Sequence, residues 1–167
     1  MPGPNVLVAK HVGKAFGGVH ANSDICINVR QGERLGLIGP NGSGKTTFLN
    51  VLAGFYRADA GVITWRGKEI QRLSAHQIAK LGIARTFQDF KLFLELTTLE
   101  NVVVGALLNT SSVSIAKIAA GTILNQVVLG DKTLTRADTL STGRRQRLEL
   151  ARCLAHSPGL LPLETIS

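Results

Sequence analysis

Gly39-Pro40-Asn41-Gly42-Ser43-Gly44-Lys45-Thr46 fits the pattern GxxxxGK[ST], and an apolar run over residues 34–38 stands directly before it. A strand, a glycine-rich loop and then a helix is the context such a pattern needs. The glycines let the backbone curl until several N–H groups point at one anion, and the first turn of the next helix adds the positive end of its dipole. Residues 46–53 read as that helix, with Gly54 as its stop. The stretch reads as a phosphate cradle, in which Lys45 reaches the terminal phosphates and the Thr46 hydroxyl sits on Mg²⁺. The plain alternative is a glycine-rich turn without a ligand.

Working outward, 167 residues suffice for one domain with a real core, and 44% hydrophobic against 18% charged residues argues against disorder. Nineteen Lys+Arg against eleven Asp+Glu leave a formal net charge of +8, which suits a nucleotide, a nucleic acid or a lipid headgroup. No aromatic-interleaved basic stripe accompanies the excess, so no nucleic acid is expected as a partner. Cys26 and Cys153 lie in no metal-ligand spacing and among apolar neighbours, which predicts reduced core thiols of a cytosolic protein. No basic cluster followed by an apolar block opens the chain, so no signal peptide is expected. The apolar region 102–129 is interrupted by Asn109, Lys117, Asn125 and Gln126, too mixed to span a bilayer.

The rest of the chain divides into short elements. Residues 6–8, 25–29 and 34–38 read as strands separated by turns at Gly17-Gly18 and Gln31-Gly32. Residues 62–66 alternate again, and Arg66-Gly67-Lys68 reads as a hairpin turn returning through Ile70. Ser74 with Gln77, and Thr97 with Glu100, are capping boxes that open helices, the first stopping at Gly82 and the second running to about residue 108. Residues 83–87 read as a strand ending at Gln88. Residues 111–129 read as helical despite Gly121. A last helix runs from near Ser141 to about His156, with Leu148, Ala151 and Ala155 on one face, and residues 160–163 return as a strand. Strands at the start, then strands alternating with helices, imply an α/β protein.

After the cradle, Leu140-Ser141-Thr142-Gly143-Arg144, followed by 145–152, resembles the LSGGQ signature of the ATP-binding cassette (ABC) family, the ATPase subunits of membrane transporters. Gln88 in Arg85-Thr86-Phe87-Gln88 is similar to the glutamine of that family's Q-loop, and Phe16 stands where it carries an aromatic that stacks on adenine. The stretches from Gly54-Phe55-Tyr56 to Phe87-Gln88 and Leu99-Glu100-Asn101-Val102 resemble its branched-chain amino acid subgroup. The resemblance covers nearly the whole chain. It implies a P-loop NTPase domain of ABC type: an N-terminal antiparallel β subdomain, a RecA-like core over about 1–88 and 141–167, and a reduced helical subdomain over about 89–140.

It further implies the ATP-binding subunit of an importer, with branched-chain amino acids as the substrate class that the subgroup motifs imply. ATP would be held by Phe16, residues 39–46 and Thr47, with Mg²⁺ at Thr46, Gln88 and Glu164. Its implied partners are a second nucleotide-binding subunit, closing head to tail with ATP as the glue, and transmembrane permease subunits. Its implied place is the cytoplasm, peripheral at the inner face of the plasma membrane. Each residue keeps a plainer reading: Phe16 as a core aromatic, Gln88 as a polar strand end, residues 141–143 as a capped helix start.

The departures from the pattern matter as much. Where the family has an apolar strand ending in Asp-Glu, this chain has Leu160-Leu161-Pro162-Leu163-Glu164-Thr165. Counted without a gap, Glu164 takes the place of the metal-organising Asp and Thr165 that of the catalytic Glu. With one deletion, Glu164 becomes the catalytic carboxylate and the Asp is lost. Either way one acid is missing, and a missing general base slows hydrolysis by roughly 10²- to 10⁴-fold while binding survives. Pro162 removes a ladder N–H. The D-loop and the phosphate-contacting His of the family have no counterpart before Ser167, so the cassette reads as incomplete, and His11, His20, His76 and His156 all read as surface or loop residues. Arg144 replaces the signature Gln and adds a cation. Two alternatives stand beside the importer: a nucleotide-binding remnant with impaired hydrolysis, and an unrelated P-loop kinase.

Overall fold

Two twelve-residue strands, β1 (Asn5–Phe16) and β2 (Val19–Arg30), form a hairpin closed by Gly17 and Gly18 at φ 51° and 86°. They are longer than the sequence pattern predicts because the two strands pair with each other, with irregularities, along nearly their whole length, from Asn5 with Arg30 to Phe16 with Val19. This computed structural model describes residues 3–86 and 91–163, and its chain divides into the units Met1–Leu81 and Gly82–Ser167.

In the first unit β3 (Ala60–Trp65) adds to β1, and β4 (Lys68–Glu69) to β3, giving an antiparallel sheet in the order β2-β1-β3-β4. The predicted turn at Arg66 and Gly67 is present, with φ 48° and 79°, the left-handed pair a tight hairpin turn requires. One face of the sheet buries Leu7, Ala9, Val12, Ile63 and Trp65. The indole N–H of Trp65 donates to the Leu81 carbonyl at 2.8 Å. Helix α1 (Lys45–Leu52) buries Phe48, Val51 and Leu52, and the short α2 (Ala75–Lys80) starts from the predicted capping box of Ser74 and Gln77.

The strand expected over residues 34–38 is not formed. Among the described residues nothing pairs with it, and a strand is defined by its ladder, not by its apolar side chains. Ile38 is 98% exposed in consequence.

The second unit is built on α3 (Thr98–Ala106), α4 (Val113–Gln126) and α5 (Thr142–Ala155). Val102, Ala106, Ala116, Ala120, Leu124, Leu148 and Ala151 meet in its core. Small residues let the helices approach closely: a Cβ on Gly105 would fall on the Arg152 carbonyl oxygen. Asn101 is fully buried and fully used; its Oδ1 accepts the Phe93 N–H at 2.9 Å, and its Nδ2 donates to the carbonyls of Phe93 and Thr97 at 2.9 and 3.0 Å. The helix expected over 111–129 is trimmed to α4, ending before Val128, a β-branched residue held at φ 59°. Gly121 is tolerated because its face meets open space.

Residues 83–86 and 160–163 form a parallel contact rather than two full strands, and Phe87 and Gln88, the end of the expected first strand, lie outside the described residues. Leu160 bridges Ile83, the Ala84 N–H donates to Leu160 at 3.1 Å, and the Thr86 N–H donates to Pro162 at 3.2 Å. The next bond in a parallel register would come from the N–H of residue 162 to Ala84, and proline has none.

Two expectations fail on burial. Cys26 is exposed because β2 turns Cys26 outward between the half-buried Ile25 and Ile27. His156 is buried, at the C-cap of α5, instead of lying on the surface.

Candidate functional site

The phosphate loop is set by its two left-handed glycines. Gly42 and Gly44 both have φ 83°, and Gly44 is the N-cap of α1, where it offers no side chain to the helix N–H groups. A Cβ on Gly44 would fall on the Ala21 carbonyl oxygen of β2 and 2.5 Å from Asn22 Nδ2. The loop is thus seated against the hairpin. Asn22 fastens it: buried to 4% exposure, it donates from Nδ2 to the Gly44 carbonyl at 3.0 Å. Asn22 was not legible in the sequence: β2 carries a second asparagine, Asn28, and nothing local distinguishes the two.

Gly39, Pro40, Asn41, Gly42, Ser43 and Thr46 are exposed, and Gly44, Lys45 and Thr47 half-buried. The Lys45 ammonium curls back over the loop, donating to the carbonyls of Gly39 and Pro40 at 2.7 and 2.8 Å and to Ser43 Oγ at 3.3 Å. No acidic side chain occupies the first turn of α1. An ammonium and a helix N-terminus without an acid beside them suit the loop to an anion, and a phosphate there would exchange for the carbonyls as the partner of Lys45. The residues fit a polyphosphate, and Thr46 is the described residue that would offer a hydroxyl to Mg²⁺. Gln88 and Glu164, the other expected metal ligands, and Thr165 lie outside the described residues.

Phe16 is no core aromatic. It ends β1 at 43% exposure and meets Tyr56 edge to face, with centroids 5.1 Å apart and planes at 75°. Lys14 Nζ stands 5.1 Å from the ring centroid and is fixed by Asp59 at 2.9 Å. The other oxygen of Asp59 accepts the Ala15 N–H at 2.8 Å. That N–H first, and the Lys14 bond second, hold the Asp59 carboxyl below its usual range. The ring is therefore held by a charge pair and a second aromatic; the sequence showed Tyr56 only as part of a subgroup stretch, and Lys14 and Asp59 not at all.

The signature stretch lies in the second unit. Leu140 is buried and anchors the start of α5, Ser141 is its N-cap with no side-chain bond to the helix, and Ser141, Thr142, Gly143 and Arg144 are exposed. No acid lies in the first turn, whereas Arg144, Arg145 and Arg147 crowd the positive end of the helix dipole. Arg145 donates to the Asp138 carbonyl at 2.5 Å. Cations at a helix N-terminus are unfavourable by themselves and become favourable when an anion sits there. A capped helix start accounts for the N-cap position of Ser141, but its side chain makes no capping bond, and the charge pattern is not that of a capped helix.

Among the described residues, no helix is long and apolar enough to cross a membrane. In comparisons with known proteins, residues 23–164 match the family described as ABC transporter. The high-affinity branched-chain amino acid transport ATP-binding protein LivG of Salmonella typhimurium is 38% identical over 164 residues, covering 89% of this chain and 64% of its own. The chain thus spans less than two thirds of that relative's length. Among solved structures, a nucleotide-free ATP-binding cassette from an ABC transporter superposes with a TM-score of 0.86 at 29% identity, over 98% of this chain and 70% of that one. A dimeric cassette in a post-hydrolysis state bound to ADP and Pi superposes with a TM-score of 0.84 at 27% identity, over 94% and 72%. The fold is accordingly the P-loop NTPase domain of ABC type, an unrelated kinase is set aside, and the chain belongs to the ABC transporter family.

Proposed function

We propose that this chain is the ATP-binding subunit of an ABC importer, and that branched-chain amino acids are the transported class. The observation that carries the reading is Lys45, folded over a loop of two left-handed glycines at an acid-free helix start. The name of the LivG relative supports the substrate class. Phe16 stacks on the base, the N–H groups of residues 42–47 and the Lys45 ammonium hold the phosphates, and Thr46 with Gln88 and Glu164 holds Mg²⁺. Bound Mg²⁺ supplies charge neutralisation at the terminal phosphates.

In this reading the signature stretch, with Arg144 in place of the family's Gln, faces the phosphates on a second nucleotide-binding subunit. ATP then draws the two together, and the motion passes to transmembrane permease subunits at the inner face of the plasma membrane. Two N-terminal helix dipoles and the arginines of α5 around one polyanion give the closure its driving force.

Binding and turnover are separable. Titration calorimetry with Mg-ATP should give a saturable site that Lys45→Ala abolishes, and equal affinity in the variant removes the basis of the assignment. Thr165 favours a second reading, a subunit that binds ATP and hydrolyses it roughly 10²- to 10⁴-fold more slowly than a cassette with the general base. Steady-state phosphate release at the rate of such a cassette refutes that reading and leaves the first intact.

A further inference from the structure

Two opposed bulges in the first hairpin bring together three side chains that the nucleotide site does not use. Between Ala9 and Val12 β1 carries one residue more than β2, and between Val12 and Lys14 β2 carries one more than β1. The bulges hold His11 and Asp24 at φ 52° and 55°, left-handed positions that a non-glycine residue occupies at a cost. There His11 Nδ1 lies 2.6 Å from Asp24 Oδ1 and 3.9 Å from Cys26 Sγ. All three ligand atoms lie within 4.8 Å of one another, and all three residues are exposed. Instead of joining the ladder, the His11 backbone N–H donates to Cys26 Sγ at 3.3 Å, the outer support that metal thiolates receive in proteins.

We propose that His11, Asp24 and Cys26 form a binding site for a borderline divalent transition metal of the zinc class, with water as the remaining ligand. One nitrogen, one sulfur and one carboxylate oxygen are the donors such ions take, whereas Mg²⁺ and Ca²⁺ prefer all-oxygen sites. With bonds of about 2.0–2.3 Å, tetrahedral ligands stand about 3.3–3.7 Å apart. The pair of His11 and Asp24 must open by less than about 1 Å and that of His11 and Cys26 close by a few tenths, both within reach of rotamer changes at exposed side chains. The proton between His11 and Asp24 moves to Nε2 of the same ring, freeing the Nδ1 lone pair. The Cys26 thiol gives up its proton to solvent, so one proton leaves per metal bound. The metal would clip β1 to β2 across the irregular part of their ladder.

The test uses the whole chain, reduced and free of nucleotide, with Zn²⁺ for affinity and Co²⁺ as the spectroscopic probe. One equivalent of Co²⁺ should give tetrahedral d–d bands and a thiolate charge-transfer band. Cys26→Ser should remove the charge-transfer band. Asp24→Asn and His11→Asn, both tolerant of left-handed backbone, should weaken Zn²⁺ by at least the roughly tenfold to hundredfold that losing an outer partner costs. Calorimetry in two buffers should count about one proton released. Mg-ATP affinity, measured separately, should be unchanged in all three variants. A charge-transfer band that survives Cys26→Ser, Zn²⁺ affinity unaltered by His11→Asn and Asp24→Asn, or no binding by the unmodified chain overturns the proposal.

Discussion

Asn22 offers a test in which two effects of opposite sign compete. Its Nδ2 donates to the Gly44 carbonyl at 3.0 Å, while its Oδ1 is buried with no partner among the described residues. The Gly44 carbonyl also accepts the Phe48 N–H at 2.9 Å, so removing the amide does not orphan it. Replacing Asn22 by Leu, similar in volume, therefore loses one bond worth about 0.5–1.5 kcal/mol and relieves an unsatisfied acceptor that costs about 1–3 kcal/mol. Exchanging an amide for an apolar group at 4% exposure adds to the gain. The balance favours Asn22→Leu by about 1–2 kcal/mol, which at 2–4 °C per kcal/mol raises the melting midpoint by roughly 3–6 °C. Circular dichroism melts of the two proteins, free of nucleotide, measure it. Asn22→Asp makes the control: its carboxylate cannot donate to the carbonyl and is buried facing it, so that variant should melt below the parent at neutral pH and recover as acid protonates the new group. An Asn22→Leu protein that melts at or below the parent would show that Oδ1 is satisfied, and would refute the reasoning.

Phe16→Ala should weaken Mg-ATP by the roughly 1–3 kcal/mol of one stacked base, about 5- to 150-fold, with the melting point of the free protein nearly unmoved because the ring is half exposed; an equal affinity would return Phe16 to a packing role. Burial lowers the His156 pKa below its ordinary 6.5, so the unfolded chain takes that proton first as acid is added. Stability from this residue is therefore intact above about pH 6.5 and lost progressively as the pH falls toward the lowered folded value, a slope that His156→Gln should remove from denaturant titrations across that window.

Read from residues alone, the phosphate loop was the most legible part of this protein. The types at 39–46 leave little choice: only glycines at Gly42 and Gly44 take φ 83° without strain, and only a helix beginning at Lys45 gives their N–H groups a common direction. Capping boxes at Ser74 and Thr97, the tight turn at Arg66-Gly67 and the buried face of α5 were equally local, and each is present. What depends on partners distant in sequence was not legible. An apolar run at 34–38 promised a strand, but a strand exists only where another chain segment supplies the ladder. Whether Cys26 faces solvent or core depends on which side of the sheet is covered, and His156 is buried by what packs on α5, facts no local pattern records. The same reason hid Asn22, the Lys14–Asp59 mount beneath Phe16, and the meeting of His11, Asp24 and Cys26. Sequence by itself determined the chemistry each short segment can perform, because backbone conformation and charge are properties of neighbours in the chain; the tertiary structure alone decided which side chains stand together, because strand register and burial are settled between residues far apart in it.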